Sequence, residues 1–362
     1  MGRACDARAL ERRHAPDHDL PGHEDRADLL HADDGAGGEP IRFVHARLEI
    51  QGAGGTHAQP LLQELRVTVL VTGGTGFVGG HVVHALRARN VRVRALVRDP
   101  KRARRLSAWG AEIVAGDVSD PTVLRAACVG ATAVIHLVAI IKGSRGDFER
   151  VMEHGTRNLV AAAEGAGVGR IVLASALGLD ERSKDAVPYF TAKWEMERAV
   201  RSSSLDYVIL RPSFVFGKDG GVLPTFVRLA RFSPVTPVVG DGTTRLQPIW
   251  VDDMAEYYVR AVDHPAATGR VFEIGGPEAV TWNEMWQRLK RVLGARRPTV
   301  HVPVGVLRVQ ATLTERLPGA PVTRDQLTML ELGDNVVVDP SAVETFELPL
   351  VPLDEQLRRA VT

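Results

Sequence analysis

The sequence predicts an α/β protein, a doubly wound parallel sheet with a smaller carboxyl-terminal part over its cleft. Three observations carry that expectation. Residues 67–71 form an unbroken β-branched and aliphatic run, as a strand buried on both faces requires. Glycines spaced three apart, Gly73, Gly76 and Gly79, follow at once, and apolar positions at helical spacing (Val78, Val82, Ala85, Leu86) come next. Beyond them strand-like and helix-like stretches alternate, which implies right-handed βαβ crossovers.

In the first unit, Gly73 permits the turn, Gly76 lets the backbone approach a pyrophosphate, and Gly79 lets the helix pack on the strand. The free N–H groups and positive dipole end of that helix would hold the phosphates. A glycine triplet alone also fits a structural turn; its place between a predicted strand and a predicted helix favours a dinucleotide and hence a Rossmann-type core.

The second strand spans residues 91–97 and ends at Arg98 and Asp99, where the adenosine ribose is expected. An acidic residue there selects the 2′-hydroxyl of NAD and an arginine the 2′-phosphate of NADP; Arg98 tips the expectation towards NADP, with Asp99 able to take the other role. The third strand, 111–117, carries Asp117 at its carboxyl end beside the adenine, followed by Val118. The fourth, 133–139, brings Leu137, Val138 and Ala139 under the nicotinamide-side ribose. His136, flanked by Ile135 and Leu137, reads as a hydrogen-bonded core histidine rather than a base.

A long helix is expected over 147–165 and a fifth strand over 170–175. Tyr189 and Lys193, four apart on the next helix, share one face. A free phenol has a pKa of about 10, and a nearby ammonium favours its anion. Ser175 would then hold a substrate oxygen while Tyr189 passes a proton and a nicotinamide passes a hydride. Such an i,i+4 pair also occurs by chance on amphipathic helices; its place after the fifth strand argues for the nicotinamide. Pro212 is expected among the cofactor-binding residues, with Val118, Leu137, Val138 and Ala139.

From about 217 to 245 the chain is rich in Pro, Gly and Phe and should cap the cleft; Phe214, Phe216, Phe226 and Phe232 suggest an apolar pocket or simply core. Thr281 with Glu284 reads as a capping box. Residues 303–317 form a helical pattern that fits packing on its own domain, a membrane surface or a partner protein.

Composition bounds the function. The 362 residues carry a net charge of +1, which gives no footprint for nucleic acid, and the 12 His lack metal-ligand spacing, so no metal site is expected. Two cysteines build no disulfide framework and fit a reducing cytoplasm. Residues 1–65, rich in Arg, His, Asp, Gly and Ala, show no period and are expected to be disordered. The change at residue 66 suggests a start at Val67 or Val69 read from a GTG codon; the alternative is a genuine regulatory or targeting tail. The core is expected over 66–216, and 217–362 is mostly substrate-side with segments returning to the core.

The motif Thr72-Gly73-Gly74-Thr75-Gly76-Phe77-Val78-Gly79, the Tyr189/Lys193 pair and Leu210-Arg211-Pro212-Ser213-Phe214-Val215-Phe216-Gly217 together resemble the extended and atypical short-chain dehydrogenase/reductases, NAD-dependent epimerase/dehydratase-like proteins. Residues 248–255 and 272–277 resemble their later motifs. Ser175-Ala176-Leu177-Gly178, Gln247-Pro248 and Thr323-Arg324-Asp325-Gln326-Leu327 look like the branch that contains the nucleotide-binding accessory subunit of respiratory complex I and its bacterial relatives. The resemblance covers about 67–350. It implies that the Gly-rich turn (Gly73, Thr75, Gly76, Phe77, Val78, Gly79), Asp117, Tyr189 and Lys193 contact the dinucleotide, with Lys193 on the nicotinamide ribose. It also implies two functions: an NAD(P)-dependent oxidoreductase or epimerase acting on a carbonyl or hydroxyl, or a protein that holds NADP(H) structurally at a respiratory or quinone-related membrane assembly. Met152 stands where many members carry an Asn that organises a water behind the tyrosine. A thioether cannot do this, which leaves the proton relay incomplete.

Overall fold

The computed structural model describes residues 67–314 and 323–362. The expectations for residues 1–65 therefore lie outside the described residues. Seven parallel strands form the central sheet. Six are β1 (Thr68–Thr72), β2 (Arg92–Val97), β3 (Glu112–Ala115), β4 (Ala133–His136), β5 (Arg170–Ala174) and β6 (Asp206–Pro212). The seventh, Arg270–Ile274, pairs with β6, and the order across the sheet is seventh strand, β6, β5, β4, β1, β2, β3. Strand order reverses between β1 and β4, which opens a crevice at their carboxyl ends.

Why these segments become strands is visible in the burial of β1. Val69 and Val71 enter the apolar layer on one face and Leu70 that on the other, all fully buried. Each such side chain contributes at most about 1.5–3 kcal/mol. Helix α1 (Phe77–Ala88) packs with the helix Val251–Ala261 on the first face; Pro121–Cys128, Gly155–Gly165 and Pro188–Arg201 cover the second.

The helix expected over 147–165 is instead three pieces: Arg145–Phe148, a π-helical turn at Glu149–His154, and Gly155–Gly165. The fourth strand also stops at His136, three residues earlier than expected: the Leu137 N–H makes the last bond to β1, to the Thr72 carbonyl at 3.1 Å, and Leu137 and Val138 then back the glycine turn.

A third apolar cluster forms the carboxyl-terminal part, in which Phe216, Leu223, Trp286, Leu289 and Leu357 meet. Thr281 caps the helix Trp282–Leu293 through the expected box with Glu284. Phe214 and Phe226 both pack edge-on against Trp282, and Phe216 is fully buried, so these three rings are core. Phe232 is 77% exposed and belongs to neither core nor pocket. Within the 303–317 pattern the described helix is Val304–Thr314; it leaves Val306, Val309 and Leu313 exposed. Among the described residues no helix is long and apolar enough to cross a membrane.

Candidate nucleotide site

The glycine turn sits at the switch point between β1 and β4. Gly73 has φ +80°, and a Cβ there would lie 2.9–3.1 Å from the backbone of Leu137 and Val138. A side chain is excluded by conformation and by space. A Cβ on Gly79 would come 2.2 Å from the Gly73 carbonyl oxygen, so this residue brings α1 against the turn. Gly76 differs. It is exposed, and a Cβ there would meet only the Gly73 oxygen, at 3.1 Å. Nothing within the described residues demands a glycine as strongly here, which suits a position that a ligand approaches.

Gly76 caps α1 with no side-chain hydrogen bond, and the first turn holds no acidic residue. Several other helices are capped by a side chain: Asp120, Ser144, Thr281 and Thr323 each accept first-turn N–H groups. The start of α1 thus keeps unclaimed donors and the positive end of its dipole beside the exposed Thr75. Phe77 offers its backbone there while its ring lies over Gly217, Gly220 and Gly221, where added Cβ atoms would come within 2.3–3.1 Å of it. Val78 is half-buried against two apolar clusters.

Just past β2, Asp99 accepts the Lys101 N–H at 3.0 Å and caps the short helix that follows. Arg98 is exposed and makes no hydrogen bond among the described residues. Asp117 lies two residues past β3. Burial pushes its carboxyl up, but the Ser119 N–H (2.9 Å) and hydroxyl (2.7 Å), with the charges of Arg98 and Arg150, outweigh this and hold it below the usual range. Both Ser119 bonds fall on Oδ1, leaving Oδ2 open to a donor. Val118 is buried with its side chain against Gly155.

Past β5, Pro188 at the first helical position presets φ for the helix Pro188–Arg201. Tyr189 follows in its first turn and Lys193 one turn later, Nζ 5.8 Å from the phenol ring centroid. Lys193 is 1% exposed and donates to the carbonyl of Ala174 at 2.6 Å. Burial pushes its ammonium down to about 8 against the charge of Glu197, and burial pushes the Tyr189 phenol up to about 12. The expectation that Lys193 lowers the Tyr189 pKa therefore does not describe this geometry: the ammonium is turned to a strand carbonyl, and desolvation dominates. Ser175 donates its hydroxyl to Glu197 at 2.5 Å and is 3% exposed, so it is engaged in a buried network. Pro212 ends β6 in register with Ile274, its carbonyl accepting the Leu177 N–H at 3.0 Å. Ala139 is exposed beyond β4.

His136 is the expected core histidine. Its Nδ1 lies 2.6 Å from Thr72 Oγ1 and its Nε2 2.9 Å from Thr156 Oγ1. Because Thr156 gives its own proton to the Met152 carbonyl at 2.5 Å, it accepts from Nε2–H, and Nδ1 accepts from Thr72. Burial, then the Lys193 charge, pushes this imidazole down to about 3, so it is neutral and fully bonded. Met152 lies wholly buried in the π-helical turn.

Three groups escaped the sequence reading. Glu197 and Arg211 carried a weak signal, being four residues beyond Lys193 and next to Pro212. His81 carried none: it lies between Asp252 (2.6 Å) and Asp219 (3.1 Å), both far away in sequence.

A sequence model described as NAD(P)H-binding matches residues 73–265. The ceramide reductase of Caulobacter vibrioides is 33% identical over 244 residues, 66% of this chain and 75% of that protein. Subunit 9 of the NADH dehydrogenase [ubiquinone] 1 alpha subcomplex, mitochondrial, of Arabidopsis thaliana is 25% identical, over 79% of this chain and 74% of its own length. Among solved structures, an NADPH-dependent quinone oxidoreductase from Escherichia coli, complexed with NADPH, superposes with a TM-score of 0.67 at 20% identity. It covers 81% of this chain and 100% of that one, a likeness of fold.

Proposed function

The chain belongs to the NAD(P)H-binding family, within the atypical short-chain dehydrogenase/reductases, and on that premise we propose that it is an NAD(P)-dependent oxidoreductase or epimerase acting on a carbonyl or hydroxyl substrate. The observation that carries this reading is the Tyr189/Lys193 pair. It stands on one helix turn after β5, with Lys193 fixed on the Ala174 carbonyl. In this reading the N-terminus of α1 binds the pyrophosphate, Asp117 Oδ2 takes the adenine amine, and Lys193 the nicotinamide ribose. Thr75, Gly76, Phe77, Val78, Val118, Leu137, Val138, Ala139 and Pro212 border the dinucleotide. The nicotinamide, when bound, exchanges a hydride with the substrate carbon. Tyr189, a neutral phenol in this setting, donates the proton that an incoming hydride leaves the substrate oxygen needing. Ser175 acts behind this pair, since its hydroxyl is held by Glu197.

NADP is favoured over NAD. Asp99 is committed to its cap while Arg98 stays unengaged by hydrogen bonds among the described residues, ready for a 2′-phosphate.

One observation favours a second reading, a protein that holds NADP(H) without turning it over, docked to a respiratory or quinone-related membrane assembly. Met152 is wholly buried in the turn that packs on the Tyr189 helix, and a thioether cannot organise a relay water; the likeness to the Arabidopsis NADH dehydrogenase subunit 9 supports docking to a respiratory assembly. The test is to purify the protein without added cofactor and identify the nucleotide that comes with it. Its reduced form is then offered quinone, sugar-nucleotide and ceramide-type carbonyl candidates. Exchangeable nucleotide that is oxidised establishes the enzyme. Stoichiometric nucleotide that stays bound and redox-silent establishes the holding role.

A further inference from the structure

Two consecutive residues at the end of β5 hold two consecutive turns of the Tyr189 helix. The Ala174 carbonyl accepts from Lys193 Nζ at 2.6 Å, and Ser175 Oγ donates to Glu197 Oε1 at 2.5 Å. The same carboxylate receives a fork from Arg211 on β6, Nε to Oε1 and Nη2 to Oε2, both at 2.8 Å. Arg201 adds a bond to Oε2 at 3.0 Å. Glu197 is 2% exposed. Burying a carboxylate costs several kcal/mol unless donors replace its water, and here four hydrogen bonds from three side chains do so.

We propose that Glu197 is the positioning residue of the nicotinamide end, locking the helix that carries Tyr189 and Lys193 to the tips of β5 and β6 and balancing the Lys193 ammonium. This rests on the reading of Tyr189 and Lys193 as the nicotinamide-side pair. The charges around Lys193 show why a carboxylate belongs at this place. Burial works against the ammonium, and Glu197 is the group that opposes burial. On β4, His136 is neutral; on the same helix Tyr189 is a neutral phenol. Arg211 and Arg201 are cations that share Glu197 and would otherwise repel Lys193. From the packed elements, Glu153 and Arg157 engage each other and Arg157 reaches Glu195, while Asp147 bonds Ser144 and Arg150. Removing the Glu197 carboxylate therefore leaves Lys193 facing burial and two arginines, and its proton is lost at lower pH.

The experiment is NADPH binding to the full chain, by nucleotide fluorescence, as a function of pH from about 6 to about 10. In the unaltered protein affinity should fall on the basic side as Lys193 loses its proton, and Lys193→Met should abolish that fall. Glu197→Gln should move the fall to lower pH by roughly one unit. Glu197→Asp keeps the charge and should leave the fall where it is. A packing role alone would change affinity or melting temperature without moving the pH dependence. A folded Glu197→Gln protein with an unmoved fall overturns the proposal; if that variant does not fold, a fall moved down by roughly one unit in Glu197→Asp, where the charge is kept, overturns it. A fall that survives in Lys193→Met instead overturns the assignment of Lys193 to the dinucleotide.

Discussion

Gly79 and Gly73 lie in contact: a Cβ on Gly79 would sit 2.2 Å from the Gly73 carbonyl oxygen, whereas one on Gly76 would meet that oxygen at 3.1 Å and nothing else nearby. The two glycines should therefore fail in different ways. Gly79→Ala must push α1 off the turn, and a loss of about 1–3 kcal/mol in stability is expected by denaturant melts. Gly76 has φ −77°, so a side chain there brings little backbone strain. Gly76→Val should melt close to the parent yet lose nucleotide binding by about tenfold or more, since its branched side chain occupies the pyrophosphate's approach. Calorimetric titration with NADPH checks this, and unchanged affinity would count against the whole site assignment.

Arg98→Asp should invert the cofactor preference. A hydrogen bond to a charged group is worth about 1.5–3 kcal/mol, and Arg98 is exposed and screened by salt, so the lower end applies: roughly tenfold weaker NADPH with NADH nearly unchanged. Asp99→Ala is the control. It removes the cap on Lys101 N–H and should leave the NADP/NAD ratio where it was. If instead Asp99→Ala shifts the ratio and Arg98→Asp does not, Asp99 reads the 2′ position.

The sheet was legible because burial on both faces forces apolar, β-branched runs, and those survive in the sequence as uninterrupted stretches such as residues 67–71. Strand ends were less legible. Leu137 and Val138 are as apolar as the residues of β4 but serve to back Gly73, a use that hydrophobicity alone does not distinguish. The π-helical turn at Glu149–His154 left no pattern either, since one extra residue per turn does not change which residue types appear. In the site, spacing located Ser175 near the Tyr189 helix but carried no information on where its hydroxyl points. Its partner Glu197 is 22 residues away, and the His81 pairing with Asp252 spans 171. Such contacts are set by which strands end side by side, and that order is a property of the folded sheet.

The His81 clamp predicts a pH-dependent stability. The Asp252 hydrogen bond, opposed by burial and assisted by Asp219, raises the His81 pKa above its ordinary value of 6.5. A group whose folded pKa is raised contributes stability that is fully present below 6.5 and is lost as pH rises through the raised value. Melting temperature should therefore decline on the alkaline side of 6.5 in the parent, and His81→Gln should flatten that decline while lowering the acid-side plateau. Because Asp219 belongs to the chain that covers Phe77, nucleotide release should quicken over the same interval. A parent and variant with superimposable pH curves would show that the clamp carries no weight.

Tyr189→Phe separates chemistry from binding. The phenol is pushed up to about 12 by burial, so at neutral pH it is protonated and suited to donate to a substrate oxygen that gains charge as hydride arrives. Removing the hydroxyl leaves the ring, its packing beside Phe190 and the Lys193 bond to Ala174 in place. Nucleotide affinity should thus change by less than about threefold, while turnover with any substrate found for the protein should fall by about 10²–10⁴, the range for loss of a positioned acid. Lys193→Met should do the converse, weakening the nucleotide first. Equal losses of affinity in both variants would mean that Tyr189 is a binding group, and full turnover in Tyr189→Phe would move the proton donor to the substrate side of the cleft.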